Sequence, residues 1–200
     1  MDENKIHALM EVFHDADEAT ARFRKDSGLA CEQGCGRCCE NPDVETTVLE
    51  MLPGAMDLWS HHKADAILEK LARLDGDSSR QCVFYQPDPF VAGHGRCSAY
   101  SFRPLVCRLF GFSAWADKHG RDVIVTCPTI KRRQAKKLEK ARQEVQKENM
   151  RIPRMTDYAM KIFGIDPGLG EKKIPINAAL KIALEKVGMI LNFEELSCNP

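Results

Sequence analysis

Four cysteines fall within nine residues, Cys31-x3-Cys35-x2-Cys38-Cys39, and four more follow singly as Cys82, Cys97, Cys107 and Cys127. Thiolates at such close spacing let one short loop deliver several donors to a metal ion or an iron–sulfur cluster. Gly34 and Gly36 allow a tight backbone path there, so that amide N–H groups can turn toward sulfur. Only Cys35 and Cys38 form a Cys-x2-Cys knuckle, a pattern unlike a zinc ribbon, in which such knuckles come in pairs. Cys127 precedes Pro128, as the last ligand of bacterial ferredoxin loops does, though at a different spacing. The chemistry on offer is therefore a cysteine-ligated iron–sulfur cluster, the four-iron form first, or zinc. Cys198 lies far from the rest and is not expected to ligate.

Ligand charge needs partners. Four thiolates around zinc or an oxidised four-iron cluster leave a net charge of about minus two. Arg103 and Arg108 flank Cys107 and suit hydrogen bonds into that charge, whereas Arg37 and Arg96 read equally well as solvated surface. Phe84, Tyr85, Phe90, Tyr100, Phe102, Phe110, Phe112 and Trp115 surround the ligands in sequence, as an aromatic core or a water-excluding shell. His94, between two glycines, is the one histidine to watch as a ligand; His61-His62 reads as an exposed helix end. Neighbouring residues point to opposite faces of a strand, or about 100° apart on a helix, so Cys38 and Cys39 serve one mononuclear ion poorly. The expectation is that Cys31, Cys35 and Cys38 share a centre with one distant cysteine, Cys107 being the first choice. Cys39 then faces the remaining distant ones, in a second metal site or as reduced thiols.

Composition narrows the setting. The chain has 200 residues, the size of one domain, and a formal net charge of zero, which gives the whole molecule no pull toward nucleic acid or anionic membrane. The acidic N-terminus lacks the basic head and apolar run of a signal peptide, and no stretch reaches the ~20 apolar residues of a membrane span. A cytoplasmic location is expected, where disulfides do not persist and dense cysteine signals metal. Lys131–Asn149 holds eight basic and three acidic residues without interleaved aromatics, so a solvated helix is preferred over a nucleic-acid surface. Carboxylate pairs for acid–base work, phosphate-binding glycine loops and a serine nucleophile elbow are absent in recognisable form.

The elements that must hold these cysteines read as mainly helical. Ile6, Leu9, Met10, Phe13, Ala16, Thr20 and Phe23 recur at helical spacing between a capping Asp2 and a stop at Gly28. Residues 44–74 read as helix again, broken at Pro53-Gly54 and closed by Asp75-Gly76. Short strands are expected around Val83–Tyr85 and Asp122–Thr126. Lys131–Asn149 reads as a charged helix with almost no apolar face, and Ile176, Leu180, Ala183, Leu184 and Val187 as a final amphipathic helix entered through Pro175. The fold expected is one mainly α domain with a cysteine-rich irregular core and room for a short β-hairpin. Its parts are an N-terminal helix (1–27), a cysteine-cluster region (28–135) and a helical extension packed on it (136–200).

The run Cys31-x3-Cys35-x2-Cys38-Cys39, then Cys97-Ser-Ala-Tyr-Ser-Phe-Arg103-Pro104-x-x-Cys107-Arg108-x-Phe110, then Cys127, resembles the bacterial cysteine-cluster proteins classed as zinc- or iron-chelating domains. The resemblance covers roughly residues 28 to 135, and the Arg-Pro-x-x-Cys-Arg segment is its most specific part; Cys82 falls where such proteins also carry a cysteine. Members are often labelled Fe–S cluster proteins or oxidoreductases, and longer ones are linked to methylation of flagellin lysines. The resemblance implies metal binding and leaves three activities open: redox or electron transfer with a protein partner, a structural zinc protein acting through a partner, or an iron–sulfur enzyme modifying a protein or peptide. Cys31-x3-Cys35-x2-Cys38 also has the spacing of radical S-adenosylmethionine enzymes. Those set it after the first strand of a βα barrel, and here a helix precedes it with no βαβα alternation after it.

Overall fold

The structure, a computed structural model, describes residues 2–41, 43–74 and 81–198, the last five of these by backbone alone. Helix α1 (Glu3–Ser27) starts where the Asp2 carboxylate accepts from Asn4 N and stops where Gly28 turns left-handed, at φ 65°. Its buried stripe is Leu9, Phe13, Ala16, Thr20 and Phe23, as the spacing predicts. After the cysteine loop come strand β1 (Glu45–Thr46) and helices α2 (Val48–Ser60) and α3 (Ala64–Leu74). Strands β2 (Tyr85–Pro87) and β3 (Gly95–Cys97) form an antiparallel hairpin, followed by a 3-10 turn at Tyr100–Phe102 and helix α4 (Leu105–Leu109). A second hairpin pairs β4 (Ser113–Ala116) with β5 (Asp122–Val125). Helices α5 (Pro128–Arg133), α6 (Ala135–Gln146), α7 (Met155–Ile165) and α8 (Pro167–Gly170) follow. Strand β6 (Ile174–Pro175) then pairs with β1, and helix α9 (Ile176–Cys198) ends the described chain. The chain is thus mainly α with small hairpins. Among the described residues no helix is long and apolar enough to cross a membrane.

Two apolar clusters flank the cysteines. The larger joins Leu9 and Phe13 of α1, Leu52 and Ala55 of α2, and Leu180 and Leu184 of α9. Each such fully buried leucine contributes about 1.5–3 kcal/mol. The smaller gathers Phe23, Phe112, Ile124, Ile130, Leu138 and Val145 beneath the β4–β5 hairpin. Because α1 reaches from one cluster into the other, it spans the space between them.

Several expectations are corrected. Pro53-Gly54 does not break the helix: α2 runs through it, and the chain turns instead at His62, with φ 53°. Proline there removes one hydrogen bond near the first turn, while a Cβ on Gly54 would stand 3.2 Å from Phe102 Cβ, so glycine admits the 3-10 turn against the helix. The first hairpin pairs Tyr85–Pro87, two residues later than expected, and the second strand expected at 122–126 ends one residue earlier. The charged segment is two helices parted at Gln134, and it has a narrow apolar stripe, Leu138, Ala141 and Val145, buried in the smaller cluster. His61 and His62 are exposed at the end of α2, as read. The expected stop at Asp75-Gly76 lies outside the described residues.

Candidate metal centre

The cysteine loop has no regular structure of its own and is tied down at three places. At its start, Ala30 N donates to Gln134 Oε1 (3.1 Å), Gln134 Nε2 donates to Ala30 O (2.7 Å), and Glu32 pairs with Arg133. In its middle, Gly36 N donates to Gly93 O (3.0 Å) and Gly95 N to Gly34 O (2.8 Å), so that Cys35 and His94 form an isolated bridge. At its end, Cys82 N donates to Cys39 O (3.2 Å). Gly34 takes the left-handed turn this path needs, at φ 73°. Gly36 serves otherwise: a Cβ on it would lie 2.4 Å from Tyr85 Cε2, and one on Gly95 would lie 2.3 Å from the same atom. The Tyr85 ring is thereby clamped between two bare backbones, with its hydroxyl proton shared between His94 O (2.9 Å) and Glu40 Oε1 (3.1 Å).

The remaining thiols arrive on short elements. Cys97 closes β3 opposite Tyr85. Cys107 sits on α4, whose first N–H, that of Leu105, donates to buried Glu50 Oε1 (2.8 Å); the other Glu50 oxygen accepts from Thr47 N and Oγ1 at the start of α2. One carboxylate so caps two helices. Cys127 precedes α5, and its sulfur accepts from Ile130 N at 3.4 Å. All eight described cysteines are free thiols, and all but Cys127 line one cavity of about 610 Å³. Its opposite wall comes from α1, where Asp17, Thr20, Ala21 and Arg24 follow each other at helical spacing.

The sequence model of one family, CxxCxxCC, described as "Putative zinc- or iron-chelating domain", matches residues 30–147. The chain belongs to the CxxCxxCC family. The match takes in every cysteine from Cys31 to Cys127 and runs on through α6. No curated protein and no solved structure matches the chain.

The donor set of this CxxCxxCC domain suits its family's chemistry: soft thiolates select zinc or iron–sulfur clusters. The sulfurs ring the cavity rather than meet at a point. Among the described residues, no three Cys, His, Asp or Glu side chains converge closely enough to hold an ion. Electrostatics sort the thiols further. Burial pushes Cys31 up to about 11, with Cys35, Cys38 and Cys127 adding to the shift and Arg24 opposing it. Burial also lifts Cys82 to about 11 and drives Cys107 upward, Cys82, Cys38 and Cys97 being the thiols that act on the latter. Cys39 donates to Cys38, which lowers Cys38, assisted by the Arg103 charge, and raises Cys39.

The arginines divide. Arg103 has its guanidinium 3.5 Å from the centre of the Tyr100 ring, and its charge acts on Cys38, Cys97 and Cys107. Arg108 is buried with its donors directed elsewhere: to Asp17, to Arg103 O (2.6 Å) and to Ser101 O (2.6 Å). Arg96 is exposed and donates to Gln86, while Arg37 lies over Gly93. The aromatic shell is partial, since Phe84 and Phe112 are buried but Phe90 and Trp115 face solvent. His94 lays its ring against Gly34 and does not line the cavity. The Cys198 side chain lies outside the described ones. Arg24, Asp17 and Glu50 escaped the sequence reading, although the run 17, 20, 21, 24 along α1 beside the apolar stripe was a usable signal.

Proposed function

We propose that this domain binds an iron–sulfur cluster and passes electrons to and from a protein partner. The supporting observation is the ring of seven thiols around about 610 Å³, with no three of them gathered at a point. A single tetrahedral zinc needs its sulfurs only ~3.8 Å apart, given Zn–S bonds of about 2.3 Å. A polynuclear cluster accepts ligands from a wider circle and supplies reversible one-electron chemistry when bound. The chain's own residues suit that use. Arg24 and Arg103 offset thiolate charge from two sides, and Phe84, Phe102 and Phe112 limit water at the cavity wall. Tyr100 and Phe110, partly exposed where they border the cavity, offer a partner an apolar contact.

A second reading, zinc that supplies folding energy, draws support from the shortness of β2, β3 and α4, three to five residues each. Anaerobic purification with metal analysis separates the two. A brown protein containing iron and absorbing near about 400 nm, bleached by dithionite, is expected for a cluster. Colourless protein with stoichiometric zinc and no iron would overturn it.

A further inference from the structure

The cysteine loop opens to solvent at its first thiol. Cys31 is exposed, whereas the other cysteines with described side chains are half-buried. The contacts that hold this end of the loop set it against a basic region. Lys137 Nζ donates to Gly28 O (3.0 Å), Gln134 and Ala30 exchange two hydrogen bonds, and Arg133 pairs with Glu32. Residues 22–32 and 131–140 together carry nine basic and three acidic side chains, so the rest of this neutral chain is acidic by six charges. Glu18 takes up Arg22, but exposed Lys25, Lys131, Arg132 and Lys136 have no carboxylate partner among the described residues. Arg24, on the cavity wall, lies over the Phe112 ring at 5.2 Å and also lacks one. Cations grouped in this way repel one another, and an acidic surface relieves the repulsion.

What the basic collar lacks narrows the class of partner. It has no exposed large apolar side chain, and the apolar stripe of α6, Leu138, Ala141 and Val145, is buried in the smaller cluster. No amphipathic face is left to lie in a lipid surface. No exposed aromatic ring stands among its cations to stack on bases. Tyr100 and Phe110, by contrast, are partly exposed and border the same cavity as Arg24 and Cys31. An apolar centre beside a charged rim is the anatomy of a protein interface. We propose that Arg24, Lys25, Lys131, Arg132 and Lys136, beside Cys31, form the docking face for an acidic carrier protein. The opposite charge of the rest of the chain orients the approach. The inference rests on the electron-transfer reading only for what is exchanged: one electron leaves the reduced carrier and reduces the bound centre by one, or returns.

The test measures binding of two defined carriers, an acidic flavodoxin and a basic cytochrome c, to anaerobically purified full chain by fluorescence anisotropy. The triple variant Lys131→Glu/Arg132→Glu/Lys136→Glu is compared with Lys63→Glu/Lys172→Glu/Lys186→Glu, which changes net charge equally at exposed lysines elsewhere. Far-UV circular dichroism checks folding, and the same three collar positions changed to glutamine stand in should the first triple fail to fold. Flavodoxin is expected to bind, and to bind less as the Debye length falls from about 30 Å at 0.01 M salt to about 8 Å at 0.15 M. The collar variant should lose about tenfold or more in affinity at low salt and the control about twofold at most. Equal losses in both triples, no binding of flavodoxin, or a tighter hold on cytochrome c would overturn the proposal. Tighter binding of a DNA duplex, lost in the collar variant, would overturn it in favour of nucleic acid. A zinc-loaded, iron-free protein that still binds flavodoxin through the collar would sink the electron-transfer reading and leave the docking face standing.

Discussion

Leu184 on α9 and Cys97 on β3 are both held in defined places, but by contacts of different kinds. Leu184 is fully buried in a cluster to which six helices contribute, and its order comes from apolar area removed from water. Cys97 belongs to a belt of three-residue strands, tight turns and a five-residue helix. Elements so short do not stand alone in water. What orders the belt is a set of backbone hydrogen bonds, a tyrosine ring clamped between two glycines, and Glu50 reaching across from α2. Burial thus orders the helical frame, while backbone hydrogen bonds and close packing order the belt. The contrast teaches where each kind of damage is felt.

Leu184→Ala strikes the frame and should cost about 2–5 kcal/mol of global stability. Thermal unfolding should show it, while the chains that remain folded keep their full metal content; a variant with a normal melting temperature and depleted metal would break the comparison. Arg108→Ala strikes the seam, because Arg108 joins Asp17 of α1 to the carbonyls of Ser101 and Arg103. Loss of charged hydrogen bonds there should cost about 1.5–3 kcal/mol and weaken, without abolishing, the hold on metal. Chelator titration beside a denaturant melt reads both effects at once.

Gly95→Ala strikes the belt alone. Its new methyl would meet Tyr85 Cε2 at 2.3 Å and Gln86 O at 2.6 Å. Overpacking of this kind costs about 1–3 kcal/mol, and it should appear as metal loss and faster proteolysis near Cys97, with the helical signal in circular dichroism kept. Arg103→Ala should leave stability almost unchanged and reduce metal affinity roughly 10–100-fold, or shift the reduction potential, since its charge faces three thiols. An unchanged potential and affinity would remove Arg103 from the site. Cys198→Ser should have the smallest effect, leaving metal content as in wild type by plasma mass spectrometry.

Much of this protein can be read along its sequence because the signals are local. The stripe from Leu9 to Phe23, the Asp2 and Gly28 caps and the cysteine spacing each depend on residues a few positions apart. They were enough to indicate a mainly helical chain of a cysteine-rich, metal-chelating family. What needed the tertiary structure was every pairing at long range. Spacing alone made Cys107 the first guess for the loop's distant partner, and only the fold shows that Cys107, carried on α4, lines one cavity with Cys31, Cys35, Cys38, Cys39, Cys82 and Cys97. Pro53-Gly54 looked like a break because both residues disfavour helix; only the closeness of Phe102 reveals the glycine as a packing site. Arg108 was assigned to sulfur by its neighbour in sequence, yet Asp17, ninety-one positions away, takes its charge. Residue type and spacing determine which chemistry is available, but distances between separate loops depend on how the frame packs, and that is decided only when the whole chain is folded.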